Sequence, residues 1–463
     1  MKSAYLSLPA IVLFLVVASG AVPARAQGPS DEGPPRLLMP PVPSGGAAAV
    51  RLTLADAIQR GMVTSHRLGE VRARESGAGA AVEANQAARW PEFALLAGYT
   101  RTNHVDPFSV FAQGEGFQTI YPDVPDNVRT RLDLQWPIFT SGRREALVRA
   151  AKAEYAATGK DLETARADLR LEITRAFWAL LTAEEAVRVV EGALQRIESY
   201  LNDVRNRLKV GLVPPSDELT AQAQRSHQQV LLIEARNARE SAASDLRRLT
   251  GLAPDTAIEL EAVLEKAGAP VGAAEVMVAD ARRDRPDRQA IVQRVAWAGA
   301  RANAAAALAK PAIVLSAGFD YARPNPKIFP RAAEWNTSWD VGVNLGWTFW
   351  DFGRVKAEVA QATASRLAFS ERLQDFDTVL EVEVRQRRLD VEAARAAITA
   401  AADGVRSAAE ARRVVSDRYA AGVATSTEVM DAQEALLQAE LERTRALASA
   451  RLAEARLERA LGR

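Results

Sequence analysis

Residues whose types and spacing could support catalysis are few in this sequence of 463 residues. The three histidines, His66, His104 and His227, lie far apart, and none has a carboxylate at metal-ligand spacing. No glycine-rich phosphate loop follows a strand-like segment, and no nucleophile stands beside a base. The sequence therefore predicts no catalytic residues, no bound metal and no cofactor.

One acidic pair has a spacing with chemical meaning. Glu428 and Asp431 are three residues apart, so their carboxylates lie on the same side of a predicted helix. A solvated helix face is the ordinary explanation of such a pair.

Composition narrows the class of protein. The sequence contains no cysteine, which excludes disulfides, thiol catalysis, thiolate metal sites and an N-terminal lipid-modified cysteine. The net charge is +1 with both signs interspersed, so no nucleic-acid partner is indicated. In the segment 282–287, acidic residues alternate with the arginines, which favours a helix start over a basic patch.

The N-terminus has the pattern of a secretory signal. Lys2 precedes an apolar run from Leu6 to Ala18, and Ala24-Arg25-Ala26 is a small-x-small cleavage site. The alternative is an uncleaved anchor, but a run of about 13 residues is short for a spanning helix. We expect a signal peptide at 1–26, followed by a flexible or extended Pro/Gly-rich leader at 27–50.

The sequence is internally duplicated at a constant offset of 211 residues. The segment 134–143 aligns with 345–354, and 207–211 aligns with 418–422 without a gap. Each copy changes from period-2 to helical periodicity at a Gly-Arg pair, so the repeated unit is a pair of strands feeding a long helix. We expect a first repeat at 51–252, a linker at 253–278 and a second repeat at 279–463.

Four segments alternate apolar and polar residues and are 9–11 residues long, the length that a tilted strand needs to cross a bilayer. They are Phe93 to Thr102, Val128 to Ile138, Ile313 to Tyr321 and Trp339 to Phe349. Aromatic residues near the strand ends fit interfacial girdles. A soluble two-faced sheet alternates equally well. Four strands cannot close a membrane barrel and an open edge in lipid is forbidden, so several chains must share one barrel if the sheet spans a membrane. Three chains would give 12 strands, an even number of suitable size.

Two proline-free stretches predict helices of about 100 Å each, at 1.5 Å per residue. They run from Arg143 to about Val210 and from Arg354 to about Ala421. The first has a heptad seam that starts at Ile173 and Ala176, and its counterpart in the second includes Val384 and Val391. Shorter helices are expected at about Thr53 to Arg89 and Ala279 to Lys310. Return helices follow two short turns, with Ser216 and Thr427 as expected N-caps.

Together these features resemble the TolC family of outer-membrane efflux proteins. The resemblance covers residues 51–463 and depends on the order and spacing of several motifs. These are 136–143 (Trp-Pro-Ile-Phe-Thr-Ser-Gly-Arg), 347–354 (Trp-Thr-Phe-Trp-Asp-Phe-Gly-Arg), Arg285-Pro-Asp287 and the segment 418–433.

The resemblance implies an α+β membrane protein in which four transmembrane β-strands per chain contribute to a trimeric 12-stranded β-barrel. The barrel continues into a long periplasmic α-helical coiled-coil barrel. The implied function is a passive exit duct that docks with a periplasmic adaptor (membrane fusion) protein and an inner-membrane pump or ABC exporter. Drugs, metals, small metabolites and secreted polypeptides all leave through ducts of this kind.

The resemblance also implies roles for the two helical turns. Gly211, Leu212 and Val213 on the first turn, and Gly422 and Val423 on the second, correspond to the tips that meet the adaptor; ordinary hairpin turns are the simpler reading. The aperture-lining positions of the family correspond to Asp217, Tyr419, Glu428 and Asp431 here. In a trimer, Glu428 and Asp431 would then form acidic rings that favour cations. This chain has Ala424 where the family can carry an aperture arginine, so closure relies on other contacts.

A second hypothesis is a soluble periplasmic coiled-coil adaptor or scaffold whose sheets pack face to face. The two hypotheses differ in where the apolar strand faces point, to lipid in the channel and to protein in the scaffold.

Overall fold

The computed structural model of the chain describes residues 49–114, 116–264 and 272–463. The expected signal peptide at 1–26 lies outside the described residues, as does all of the expected leader except its last two positions. Val50 already belongs to a strand.

Helices make up most of the described chain, and each repeat contains one helix of 67 residues. The helices are α1 (Leu54–Thr64), α2 (His66–Ala87), α3 (Arg143–Lys209), α4 (Pro215–Thr250), α5 (Ala274–Asp284), α6 (Pro286–Ala306), α7 (Arg354–Ala420) and α8 (Ser426–Ala460). The strands are β1 (Val50–Leu52), β2 (Glu92–Arg101), β3 (Phe108–Ala112), β4 (Gly116–Tyr121), β5 (Asp126–Phe139), β6 (Ile258–Leu260), β7 (Ala312–Arg323) and β8 (Asn336–Gly346).

The four predicted strands form one antiparallel sheet in the order β2-β5-β7-β8. Phe93 pairs with Leu134, and Leu315 pairs with both Trp136 and Val343, so apolar residues of all four strands share one face. Many of these side chains are exposed in the single chain; Leu95 retains 64% and Val343 66% of its accessible surface. The apolar face therefore has no protein layer covering it in the described chain.

The opposite face of the sheet is polar and ion-paired. Arg131 bonds Asp320 at 2.5 Å, Asp133 at 2.7 Å and Asp340 at 3.1 Å, and Arg129 also reaches Asp320 at 2.7 Å. Asp320 is fully buried by these partners. Since a buried carboxylate without partners is very costly, this network fixes β5, β7 and β8 in register.

Gly318 makes the network possible. It pairs with Asp133 on one side and Asp340 on the other, so the guanidinium of Arg131 lies directly over it. A Cβ at this position would stand 2.1 Å from Nη2 of Arg131. A glycine is therefore required for the arginine to cross the strand.

Equivalent contacts in the two repeats join the sheet to the helices. The indole of Trp136 donates to the carbonyl of Arg89 at 3.0 Å, and the indole of Trp347 donates to the carbonyl of Ala309 at 3.0 Å. Both carbonyls lie just beyond the short helix that precedes the first strand of their repeat. The duplication seen in the sequence is thus preserved in side-chain contacts.

The long helices begin directly after left-handed residues. Gly142 has φ +84° and Gly353 φ +89°, and the residues before them, Ser141 and Phe352, also have positive φ. Two consecutive left-handed residues turn the chain sharply from strand into helix, and glycine is the residue that adopts this backbone without strain. This explains the Gly-Arg pair at the start of each helix.

The predicted heptad seam is buried as expected. Ile173, Leu180 and Leu201 of α3 are each no more than 3% exposed, and Val384 and Val391 of α7 no more than 1%. Apolar residues of α3 and α7 pack against α4, α8 and the shorter helices in four separate clusters along the helical part. Most of the helical stability therefore comes from apolar burial between helices.

The structure corrects two helices predicted from the sequence. The stretch from Thr53 to Arg89 breaks at Ser65, which ends α1 and caps α2 through its hydroxyl. The stretch from Ala279 to Lys310 begins earlier, at Ala274, and breaks at Arg285. The residue before a proline is disfavoured in helical conformation, and Pro286 starts the next helix as its N1 residue. The helix start expected within 282–287 is thereby confirmed.

Smaller elements were also missed. β3 and β4 form a hairpin in the loop between β2 and β5. β6, which lies inside the expected linker, pairs in parallel with β1. These strands are three to six residues long, too short for alternation to identify them. β8 also ends at Gly346, three residues before the predicted limit.

Gly318→Ala is expected to destabilise the protein by about 1–3 kcal/mol, because the methyl group displaces Arg131 from the buried Asp320. Thermal unfolding of the detergent-solubilised protein measures the effect. Gly98→Ala is the matched control, since a Cβ at Gly98 on β2 meets no atom of the described chain within 4 Å. Equal melting temperatures for the two variants would contradict the proposed role of Gly318.

Candidate functional site

The two turns at the far ends of α3 and α7 have the same backbone. Gly211 and Gly422 both have φ +77°. The amide of Leu212 donates to the carbonyl of Arg207, and that of Val423 to Arg418, both at 2.9 Å. A left-handed glycine with this bond is a common way to end a helix. The duplicated glycines are therefore accounted for by local geometry.

Apolar side chains project from these turns. Leu212 is 73% exposed and Val423 63% exposed, whereas Val213 is half-buried and packs against the helices. Exposed apolar residues at both turns form a small surface, here called the tip surface, that no described part of the chain covers. Such residues are suited to contact with another protein.

The return helices begin earlier than the sequence predicted. Pro214, not Ser216, is the N-cap of α4, with Pro215 as its N1 residue. Thr425, not Thr427, is the N-cap of α8. Thr425 and Glu428 form a reciprocal capping box, in which each side chain accepts the other residue's amide at 3.3 Å. Proline at N1 and the Thr-x-x-Glu spacing explain both shifts.

An apolar cluster holds the two hairpins together just inside the turns. It combines residues of α3, α4, α7 and α8, and it includes Tyr200, Val204, Ala221, Tyr419 and Met430. The rings of Tyr200 and Tyr419 are 5.5 Å apart. Ala424 packs against the same cluster. The position where the family can carry an arginine is thus used here for apolar packing.

The two tyrosines differ in their hydrogen bonds. The hydroxyl of Tyr200 donates to Oγ of Ser426 at 2.8 Å, which links α3 to the first residue of α8. Burial raises the pKa of the Tyr200 phenol, the bond to Ser426 opposes this in part, and Tyr419 and Asp217 add to the rise. The hydroxyl of Tyr419 is buried close to Tyr200 but makes no well-formed hydrogen bond within the described chain.

Arg207 makes a second link between the hairpins. Its guanidinium lies 5.1 Å from the ring centre of Tyr419 and donates to the carbonyl of that residue at 3.3 Å. A cation over an aromatic face and a charge-assisted bond both stabilise the contact. The end of α3 is thereby held to the end of α7.

The acidic residues expected at the aperture lie around this cluster with different exposures. Asp217 is half-buried in the first turn of α4, close enough to Tyr200 to influence its pKa. Glu428 is exposed but engaged in the capping box, and Asp431 is exposed one turn further along α8. Tyr419 is only 8% exposed and lies between the hairpins. The structure therefore places all four residues in one region, with the tyrosine buried in the cluster and Glu428 and Asp431 exposed beside it.

Tyr200, Arg207 and Ser426 were missed by the sequence analysis. Tyr200 stands immediately before Leu201 of the heptad seam, and Arg207 aligns with Arg418 in the duplication. Only the alignment could have drawn attention to Arg207, because the link to Tyr419 joins residues 212 apart in the chain. Contacts between distant segments leave no periodic signal.

Across residues 49–114, 116–264 and 272–463, no helix combines the length and apolar character needed to cross a membrane.

Thr425→Ala is expected to destabilise the start of α8 by about 1 kcal/mol, because the amide of Glu428 loses its capping partner. Amide hydrogen exchange at Glu428 should accelerate roughly fivefold, because a loss of about 1 kcal/mol raises the population of the open state by about that factor. Thr427→Ala is the matched control, because Thr427 is exposed inside the helix and its side chain does not cap it. Equal acceleration in both variants would mean that Thr425 does not act as the cap.

Comparison with known proteins identifies the family. A model of the outer membrane efflux protein family matches residues 57–252 and 277–463. The outer membrane protein TolC of Vibrio cholerae is 23% identical over 393 residues, covering 83% of this chain and 85% of that protein. Protein CyaE of Bordetella pertussis is 26% identical over 397 residues, covering 84% of this chain and 79% of that protein.

A solved structure agrees with this result. The crystal structure of the outer membrane protein VceC from Vibrio cholerae has a TM-score of 0.73 to this chain at 20% identity, covering 88% of this chain and 96% of that one. The channel fold expected from the sequence is thereby confirmed. The family model and the relatives confirm the expected outer-membrane location, and the soluble scaffold hypothesis is not supported. The chain belongs to the outer membrane efflux protein family.

Proposed function

We propose that three copies of this chain form a passive exit duct through the outer membrane, completed in the periplasm by an adaptor and an inner-membrane pump or ABC exporter. The observation that carries the proposal is the four-stranded sheet with one exposed apolar face. Its outer strands, β2 and β8, have no partner strand on their outer edges in the described chain.

Closure by three copies satisfies these edges. β2 and β8 run in opposite directions, so β8 of one copy and β2 of the next pair as antiparallel strands, like the other pairs in the sheet. Three copies give 12 strands, an even number of suitable size for a barrel. The apolar face then meets lipid, and the ion-paired face of Arg131 and Asp320 lines the interior.

The helical part continues this passage. α3 and α7 leave the sheet at equivalent points and extend for about 100 Å each, at 1.5 Å per residue. Apolar residues such as Leu219, Ile233 and Val382 remain exposed on the helices of the single chain. Packing of neighbouring copies against these residues would close the helices into a tube. The tips then mark its periplasmic entrance.

Transport through such a duct needs no catalytic group in this chain. The driving force comes from the inner-membrane partner, and the duct contributes a path and an entrance. We propose that Asp217, Glu428 and Asp431 place acidic rings at that entrance and favour cations there. Tyr419, through its contacts with Arg207 and Tyr200, would hold the entrance narrow without an arginine at position 424.

The oligomeric state is the first measurement. Light scattering of the mature protein in mild detergent, corrected for bound detergent, should give the mass of three chains. The same preparation should form conducting channels in planar bilayers. A monomer or dimer that stays in solution without detergent would contradict the shared barrel.

Asp431→Asn should lower the preference of the channel for cations over anions by about twofold or more, because a threefold-repeated charge is lost at the entrance. Glu428→Gln should act similarly while keeping the helix cap, since glutamine also completes a capping box. Reversal potentials in a salt gradient measure the preference. Glu442→Gln is the control on the same helix side, about 16 Å further from the tip at 1.5 Å per residue; an equal effect there would place the constriction elsewhere.

Leu212→Asp and Val423→Asp should abolish export in cells while leaving the purified channel conducting. Each change places a charge on the tip surface, where docking of an adaptor would bury it without a partner. Leu212→Met, which keeps the surface apolar, is the control. Loss of conductance in the aspartate variants would indicate a structural defect, and undiminished export would exclude these residues from the docking surface.

A further inference from the structure

A lysine on the loop between β7 and β8 lies against the ion-paired face of the sheet. The loop at 324–335 joins β7 to β8. It follows the end of β7 that lies away from the helices. On the proposed function, which this inference presupposes, that end is the outer mouth of the barrel. We propose that Lys327 is a charge-selecting residue of this mouth, separate from the acidic residues at the helical tips.

The loop is seated by a buried asparagine. Asn325 is 2% exposed, and its amide group donates to the carbonyl of Asn336 and to Oγ of Ser338, both at 3.0 Å. Its side-chain oxygen accepts the backbone amide of Lys327 at 2.9 Å. The backbone of Lys327 is therefore fixed relative to β8, so the direction of its side chain is not left to an unattached loop.

The loop is also tied to the first repeat. Arg331 donates to the hydroxyl of Tyr121 at 2.7 Å and lies over its ring at 5.2 Å. Arg331 also donates to the side-chain oxygen of Asn127 on β5 at 3.4 Å. These contacts draw the loop across the sheet toward β4 and β5.

The ammonium group of Lys327 sits between two carboxylates of the polar face. It hydrogen-bonds Asp340 and lies 3.4 Å from Asp320. Its side chain remains 37% exposed, whereas Asp320 is fully buried. The charge is thus held inside the mouth but stays accessible to passing ions.

Lys327 completes a neutral set of charges, here called the mouth cluster. Its members are Arg129, Arg131, Asp133, Asp320, Lys327 and Asp340. Three positive charges balance three negative charges. Removal of Lys327 leaves the mouth cluster with a net charge of −1 per chain, which is −3 in a trimer.

The two carboxylates do not depend on the lysine for a partner. Arg131 already binds both Asp320 and Asp340, and Arg129 binds Asp320 as well. The fold of the sheet is therefore satisfied by the arginines. The addition of Lys327 changes mainly the net charge that a permeating ion meets, which is why we assign it a role in selection.

The absence of cysteine from the chain allows a direct test. Lys327→Cys gives a single thiol at the mouth, which methanethiosulfonate reagents can convert to a cationic or an anionic side chain. The net charge of the mouth cluster is then −1 per chain before reaction. It becomes 0 with the trimethylammonium adduct and −2 with the sulfonate adduct. Reversal potentials of the full trimer in a potassium chloride gradient are recorded for each state.

The unreacted variant should prefer potassium over chloride by at least about twofold more than the unsubstituted channel. The cationic adduct should restore the original value, and the anionic adduct should raise the preference further. Lys327→Arg, which keeps the charge, should match the unsubstituted channel. Lys356→Cys, on an exposed position of the first turns of α7, is the comparison for a charge change outside the mouth cluster, and its response should be smaller.

The outcomes separate this inference from the proposed function. If the unsubstituted protein forms no channel, the proposed function fails. If the channel conducts and Asp431→Asn alters its preference while both adducts at position 327 leave the reversal potential unchanged, the selecting role of Lys327 alone is overturned. A shift in Lys327→Arg equal to that in the cysteine variant would also overturn it, because the charge would then not be the cause.

Discussion

The backbone edges of the four-stranded sheet are the constraint on which the rest of the structure depends. Lipid offers no hydrogen-bonding groups, so in the proposed duct the outer edges of β2 and β8 find their partners in other copies of the chain. That requirement fixes an antiparallel order, an even strand number and an assembly that closes on itself. On the proposed function it also makes the folded sheet and the oligomer inseparable, because a single chain leaves both an apolar face and two edges uncovered.

Duplication solves the problem of joining this sheet to two long helices. In both repeats a tryptophan indole holds the strand to a preceding helix end, and a left-handed glycine starts the long helix. The repeats diverge at the far end. Arg418 bonds the carbonyl of Val423 in its own turn, while its counterpart Arg207 reaches across to Tyr419. One inherited arginine thus serves a turn in one repeat and joins the two hairpins in the other.

Local patterns predicted much of this fold. Alternation located all four strands of the large sheet to within a few residues, and the heptad seam identified buried positions such as Ile173 and Val391. The break at Ser65, the cap at Pro214 and the tyrosine contacts at the tips were not predicted. Ser65 interrupts an otherwise continuous helical pattern, and the Tyr200–Ser426 bond joins residues 226 apart. Features that depend on one residue or on distant pairs escape methods based on periodicity.

The distribution of charge along the chain argues for two unlike ends of the passage. At the sheet, acidic groups are neutralised by Arg129, Arg131 and a loop lysine, so their field is largely cancelled. At the helical tips, the exposed carboxylate of Asp431 has no ion-pair partner in the described chain. Ala424 removes the cation that could have neutralised this region, and Arg207 is occupied by Tyr419. The tips therefore keep an exposed carboxylate, whereas the contacts of Arg207 and Tyr200 with Tyr419 hold the ends of the two hairpins together.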